Sequence, residues 1–170
     1  MLEKKTPQDS LTILTDTVLP GETNPLNNLF GGELLARMDR AASIAARRHS
    51  RRICVTASVN HVAFNRAIPL GSVVTLEAKV SRAFNTSMEI FIDVWTEDRE
   101  TGTKKKANEA IYTFVAVDET GTPIHIPEIE PVTEIEIERY NAALRRKQLS
   151  LVLAGKMKPQ DATELKALFV

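Results

Sequence analysis

Asp39 sits within the stretch NNLFGGELLARMDRAASIAARRH, residues 27–49, with no cation where a helix would bring one. Its neighbours at three and four positions are Leu35, Ala36, Ala42 and Ser43, so a helical ion pair does not account for it. A carboxylate at the margin of an apolar helix face is costly to desolvate without compensation. That placement points to a working carboxylate, a general base on water or a nucleophile. The competing explanation is a distant arginine, or Ser43, that simply satisfies the charge. Gly31 and Gly32 open the same helix. Glycines there leave the first N–H groups accessible at the positive end of the helix dipole, where a carbonyl oxygen or oxyanion can bind. A tight entry turn is the plainer use of such a pair. Asn28, just upstream, either caps the helix or orients a water or carbonyl.

These residues need a helix to carry them. At about 100° per residue, Leu34, Leu35, Met38, Ala41, Ala42 and Ala45 gather on one face, with Glu33, Arg37, Arg40, Arg47 and Arg48 mostly on the other. An alanine face this thin lets a neighbouring backbone come close, which suits a sheet curled around the helix. Before it, residues 10–19 read as a short strand ended by Pro20-Gly21, and GETNPLNN (21–28) reads as loop. After it the period changes to two: strands are expected over 53–64, 72–83, 86–97 and 106–118, joined by polar turns. Their tight connections predict antiparallel meander neighbours. Residues 131–151 predict a charged helix with Ile135, Tyr140, Ala143, Leu144 and Leu151 as its contacts, and a final short helix starts at Lys158-Pro159. The plan is α+β: a long antiparallel sheet around a central Ala-rich helix, with a helical tail.

The composition removes other classes of function. Lysine plus arginine and aspartate plus glutamate each number 22 in 170 residues, so no global field recruits nucleic acid or an anionic membrane. No apolar run approaches the ~18 residues of a membrane span, and no signal peptide is expected at the N-terminus. Cys54 is the single cysteine, which fits a reducing compartment, and the cytoplasm is the expected setting. With no CxxC, HExxH or clustered His/Cys pattern, no metal is expected. His61, in an alternating strand, reads as a satisfied structural histidine, and His125 carries no motif.

The ordered pieces N-x-F-G-G, M-D, ASVNHVAFNRAIPLGSVVTLEAKV, TSMEIFIDVW and ANEAIYTFVAVDETGTP resemble the hotdog-fold acyl-CoA thioesterases, in the acyl-CoA hydrolase group. The resemblance runs from about residue 10 to 127. It implies a hotdog domain over 1–130 with a C-terminal helical extension over 131–170. It also implies hydrolysis of fatty acyl-CoA without a cofactor, in a homodimer that assembles further as a trimer of dimers, a hexamer. Asn28 and Asp39 match the family's two catalytic positions, Asn28 of one subunit working with Asp39 of the other. Gly32 matches the position whose N–H polarises the thioester carbonyl, with Gly31 beside it. Ser87 matches a position near CoA, although plain surface is the favoured reading, and Arg66 and Lys106 are candidates for CoA phosphates. Phe84-Asn85 stands where relatives often have Gly-Arg, and Ala67 where they have proline, so altered CoA affinity is expected before loss of activity. A hotdog dehydratase would need an HFPG-like histidine, which is absent. A non-catalytic acyl-CoA sensor or scaffold is the remaining alternative.

Overall fold

The computed structural model describes residues 2–169. The chain runs β1 (Thr12–Thr17), α1 (Gly31–Ser50), β2 (Ile53–Ala63), β3 (Val73–Ala83), β4 (Ser87–Glu97), β5 (Lys104–Val117), α2 (Glu134–Leu153) and α3 (Thr163–Lys166). Every expected helix and strand forms. The first strand is shorter than residues 10–19, because Pro7–Ser10 and Pro20–Glu22 close into 3-10 turns on either side.

The five strands make one antiparallel sheet in the order β1-β3-β4-β5-β2. The expected meander holds for β3, β4 and β5 only. β2 does not pair with β3, which follows it, but crosses to the far edge beside β5. Register shifts in β2 (Thr56/Ser58 and Val59/His61), β3 and β4 are the bulges that bend and twist strands, and here they curl the sheet around α1. Val74, Leu76, Ala78 and Val80 of β3, Met88, Ile90, Ile92 and Val94 of β4, and Tyr112 and Phe114 of β5 meet Met38, Ala41, Ala42, Ala45 and Ala46 in a single core. Alanine at four of those five helix positions gives the close approach read from the sequence.

The termini of α1 set its register on the sheet. Phe30 is its N-cap in extended conformation, and Leu34 N–H donates to Phe30 O at 3.1 Å. The helix stops at Arg51, which turns left-handed (φ 57°) and bonds back to Arg47 O, with Arg47, Arg48 and His49 complementing the dipole in the last turn. His49 is fully buried and its Nε2 lies 2.7 Å from Pro127 O, tying the helix to the segment after β5.

α2 lies on the outer face of the sheet, held by ion pairs as well as by the expected contacts of Tyr140 and Ala143. Arg146 makes two bonds to Glu89, at 2.9 and 2.8 Å, and Arg139 two to Asp93, at 2.8 and 3.0 Å. Arg82 stacks under the Tyr140 ring at 4.0 Å. Ala143 is buried, but Ile135 is exposed. No helix of the described residues is long and apolar enough to cross a membrane.

Candidate active site

Asp39 projects from the middle of α1 towards β2. Thr56 Oγ1 donates to its Oδ1 at 2.8 Å, and among the described residues its Oδ2 has no hydrogen-bond or ion-pair partner. Neither a distant arginine nor Ser43 satisfies it. One hydroxyl fixes the carboxylate and one oxygen stays free, which is the arrangement a base on water requires. Beneath it, Tyr112 on β5 is buried and donates to Leu35 O at 3.0 Å. Burial, and secondarily the charge of Asp39, push the Tyr112 hydroxyl up to about 12, so it remains a donor at any working pH.

Gly31 and Gly32 begin the helix proper, with neither at positive φ. A Cβ on Gly32 would meet only the Phe30 ring at 3.6 Å, and one on Gly31 only the Phe64 ring at 3.5 Å, both ordinary contacts. The entry turn therefore does not require glycine. Among the described hydrogen bonds none uses the N–H of Gly31, Gly32 or Glu33. Three donors face the space in front of the helix.

The loop that precedes them is rigid in spite of its composition. Asn24 Oδ1 accepts from Leu26 N–H at 3.0 Å and Asn28 N–H at 3.2 Å, Asn28 O accepts from Asn24 N–H at 2.8 Å, and Asn27 takes the left-handed conformation. Asn28 is not the helix cap, since Phe30 holds that position and no side chain caps it. Its side chain instead lines a cleft of about 370 Å³ with Asn24, Gly31, Phe64, Arg66 and Asn108. Arg66 is exposed at its mouth.

Other expected site residues fall elsewhere. Ser87 is buried at the start of β4, paired in the ladder with Val115 of β5, and not on the surface. Lys106 is held on the sheet between Asp93, at 2.7 Å, and Glu109, at 2.6 Å. Burial disfavours its charge, but the two carboxylates win and raise its pKa. His61 is exposed with no partner among the described residues, so it is not the satisfied core histidine expected. Arg37, expected on the polar face, is buried and pairs with Glu22 at 2.7 Å. Sequence reasoning missed Thr56, Tyr112 and Arg37. Only the strand pattern of ICVTASV around Thr56 carried any signal, and it marked a strand, not a partner of Asp39.

β2 is one of the two sheet edges, β1 being the other, and Ile53, Val55 and Val59 on it, with Phe64 just beyond, are exposed apolar side chains. A long apolar edge with free backbone groups is a surface for strand pairing. A second cleft of about 540 Å³, lined by Ser43, Arg47, Arg52 and Cys54 among others, opens one helical turn beyond Asp39 along this edge.

A helix wrapped by a curled antiparallel sheet is the hotdog arrangement, and known proteins agree. Residues 26–103 match the model of the thioesterase superfamily. The chain is 41% identical over 139 residues to the uncharacterized acyl-CoA thioester hydrolase YkhA of Bacillus subtilis, covering 82% of this chain and 81% of that protein. It superposes on an apo-hexameric acyl-CoA thioesterase with a TM-score of 0.86 at 37% identity, covering 90% and 98% of the two chains. The acyl-CoA hydrolase of Staphylococcus aureus, solved with butyryl-CoA, CoA and CoA disulfide, gives 0.84 at 30% identity, covering 97% and 99%. That hydrolase has also been solved with alanine in place of an aspartate, a threonine and an asparagine. The chain belongs to the thioesterase superfamily, among its acyl-CoA thioester hydrolases.

Proposed function

We propose that this chain hydrolyses fatty acyl-CoA to free acid and CoA at a site shared between two copies of itself. The observation that carries the reading is the bond from Thr56 to Asp39, which orients a helix carboxylate otherwise without a partner. The substituted aspartate and threonine of the S. aureus hydrolase are seventeen positions apart. Asp39 and Thr56 have that spacing. Its substituted asparagine precedes the aspartate by fifteen, which in this chain is Asn24. We therefore take Asn24 rather than Asn28 as the amide of the site. Asn24 Oδ1 is already held by two backbone N–H groups, leaving its Nδ2 to donate to substrate or water.

The exposed apolar edge of β2 supports pairing with the β2 of a second copy about a two-fold axis, and with it the shared site. Gly31 packs beside Phe64 past one end of β2, and Asp39 bonds Thr56 nearer the other. Antiparallel self-pairing brings the partner's Gly31 and the partner's Asn24 towards Asp39. The hexameric state of the structural relatives supports self-association and, further, a trimer of such dimers.

In this mechanism a water attacks the thioester carbonyl carbon while Asp39 takes its proton, a role worth roughly 10²–10⁴-fold. The Gly32 N–H at the helix terminus stabilises the oxyanion, worth roughly a further 10²–10³-fold. The intermediate collapses with cleavage of the C–S bond, and protonated Asp39 returns its proton to the leaving CoA thiolate. Attack by Asp39 itself, through an anhydride, uses the same groups. Arg66, exposed beside the cleft, is the proposed partner of a CoA phosphate, whereas Lys106 is already neutralised by two carboxylates. The test is thiol release from a panel of short to long acyl-CoAs by wild type and Asp39→Asn. Turnover that collapses in a folded, associated Asp39→Asn supports the reading, and undiminished turnover refutes it.

A further inference from the structure

Arg37 stands two residues before Asp39 on α1, roughly 200° around the helix from it, and plays no part in the mechanism above. Its side chain is 5% exposed. Nη2 donates to Glu22 Oε2 at 2.7 Å and to Thr17 O at 3.1 Å, and Asp16 lies 3.9 Å away. Nη1 is buried without a partner. Glu22 is the staple of the loop: Oε2 also accepts from Leu19 N–H at 2.9 Å, and its carbonyl accepts from Phe30 N–H at 2.8 Å. One residue thereby joins position 19 to position 30, the two ends of the loop that carries Asn24 and Asn28. On its other side the loop is backed by chain bonds, Leu29 N–H to Ile68 O and Leu70 N–H to Asn27 O.

Stability does not explain this pair. Desolvating a guanidinium and a carboxylate roughly cancels their attraction, and an apolar replacement is often neutral or stabilising. Glu22 keeps a quarter of its side-chain surface in water, so it tolerates the loss of Arg37. What the pair does supply is position. The loop cannot shift on α1 while Glu22 is held from the helix side.

We propose that Arg37 and Glu22 form a clamp that positions the Asn24 loop, so that Arg37 governs hydrolysis at the partner's Asp39 without touching substrate. The proposal rests on the shared site described above. Misplacement of a reacting group by about 1 Å costs on the order of 10²-fold, which sets the scale.

The experiment compares wild type, Arg37→Met, Glu22→Gln, the double variant and Asp39→Asn by steady-state thiol release, thermal unfolding and mass in solution. Arg37→Met is expected to lower kcat by roughly 10- to 100-fold with KM and Tm almost unchanged. The double variant is expected to be no worse than either single one, and Arg37→Lys to recover part of the rate. Glu22→Gln carries the same test should Arg37→Met fail to fold. Mixed dimers of Arg37→Met and Asp39→Asn supply the decisive readout. One of their two sites pairs an intact loop with an intact Asp39, so a random mixture regains about a quarter of wild-type turnover under two-fold symmetry. A mixture as inactive as its parents means Arg37 acts within its own subunit and overturns the proposal, as does a fall in Tm that parallels the fall in kcat. Full turnover by Asp39→Asn alone overturns the shared-site reading and the clamp with it. Full turnover by Arg37→Met, with Asp39→Asn inactive, overturns the clamp only.

Discussion

Replacing Thr56 with valine keeps the shape and β-propensity of the residue and removes only the hydroxyl that donates to Asp39 at 2.8 Å. A hydrogen bond to a charged group contributes about 1.5–3 kcal/mol. Thr56 is exposed in the single chain, so the upper part of that range requires water to be excluded by substrate or a second copy. With each 1.36 kcal/mol worth tenfold in rate, kcat is expected to fall by roughly 10- to 100-fold. Thiol release reads the fall, and Thr56→Ser should restore most of the lost rate. Unchanged kcat in Thr56→Val would refute the assignment of Asp39 as an oriented base.

Three other outcomes follow from the same geometry. Gly32→Ala is expected to keep or raise stability, by about 0.5–1 kcal/mol for alanine over glycine in a helix, because its Cβ meets only Phe30 at 3.6 Å. The methyl stands where a carbonyl oxygen must approach, so thiol release should fall while Tm does not. Burial lowers the pKa of His49, and the bond to Pro127 O only partly opposes it. Its contribution is therefore complete above the unfolded value near 6.5 and is lost as pH falls below it. Thermal unfolding from pH 7.5 to 5 should show that decline, and His49→Gln should flatten it. Arg146→Met strands Glu89, which is 4% exposed, and breaking a buried pair costs about 3–5 kcal/mol. The double variant with Glu89→Gln should recover most of the lost Tm.

The elements were legible because each rests on local chemistry. Period-two alternation marked β3 and β4, glycine, proline and asparagine marked the loops, and the alanine stripe from Ala41 to Ala46 marked the helix that the sheet embraces. Asp39 was legible for the same reason, since the absence of a helical cation is a local fact. Nothing local says that β2 leaves β3 for the far edge beside β5. That choice follows from which strand covers which side of α1, and it decides where Thr56 lies. The inward turn of Arg37 was hidden for a related reason. A helical wheel assigns arginine to water, and only the folded loop supplies Glu22 and the Thr17 carbonyl that let it be buried. Asn24 and Asn28 differ by four positions in one polar loop, and residue type does not separate them.

The thin alanine face explains why the site lies at an edge. With Ala41, Ala42, Ala45 and Ala46 wholly buried, the sheet approaches the helix backbone closely, and in the proposed reading substrate enters where the sheet stops covering the helix, along β2. Asp39 stands at that margin, and the two clefts, of about 370 and 540 Å³, lie toward opposite ends of α1. Each holds what the other lacks: helix N–H donors and three asparagines in one, and the approach to the carboxylate at the other. A two-fold axis across β2 joins each half to its complement, which makes self-association a requirement for catalysis in this reading and not only a source of stability. A monomeric variant, obtained by placing lysine at Val55 and Val59, should then fold with its core intact and bind acyl-CoA weakly, yet release no thiol. Turnover per chain equal to wild type in a protein confirmed monomeric would show that one chain holds the whole site.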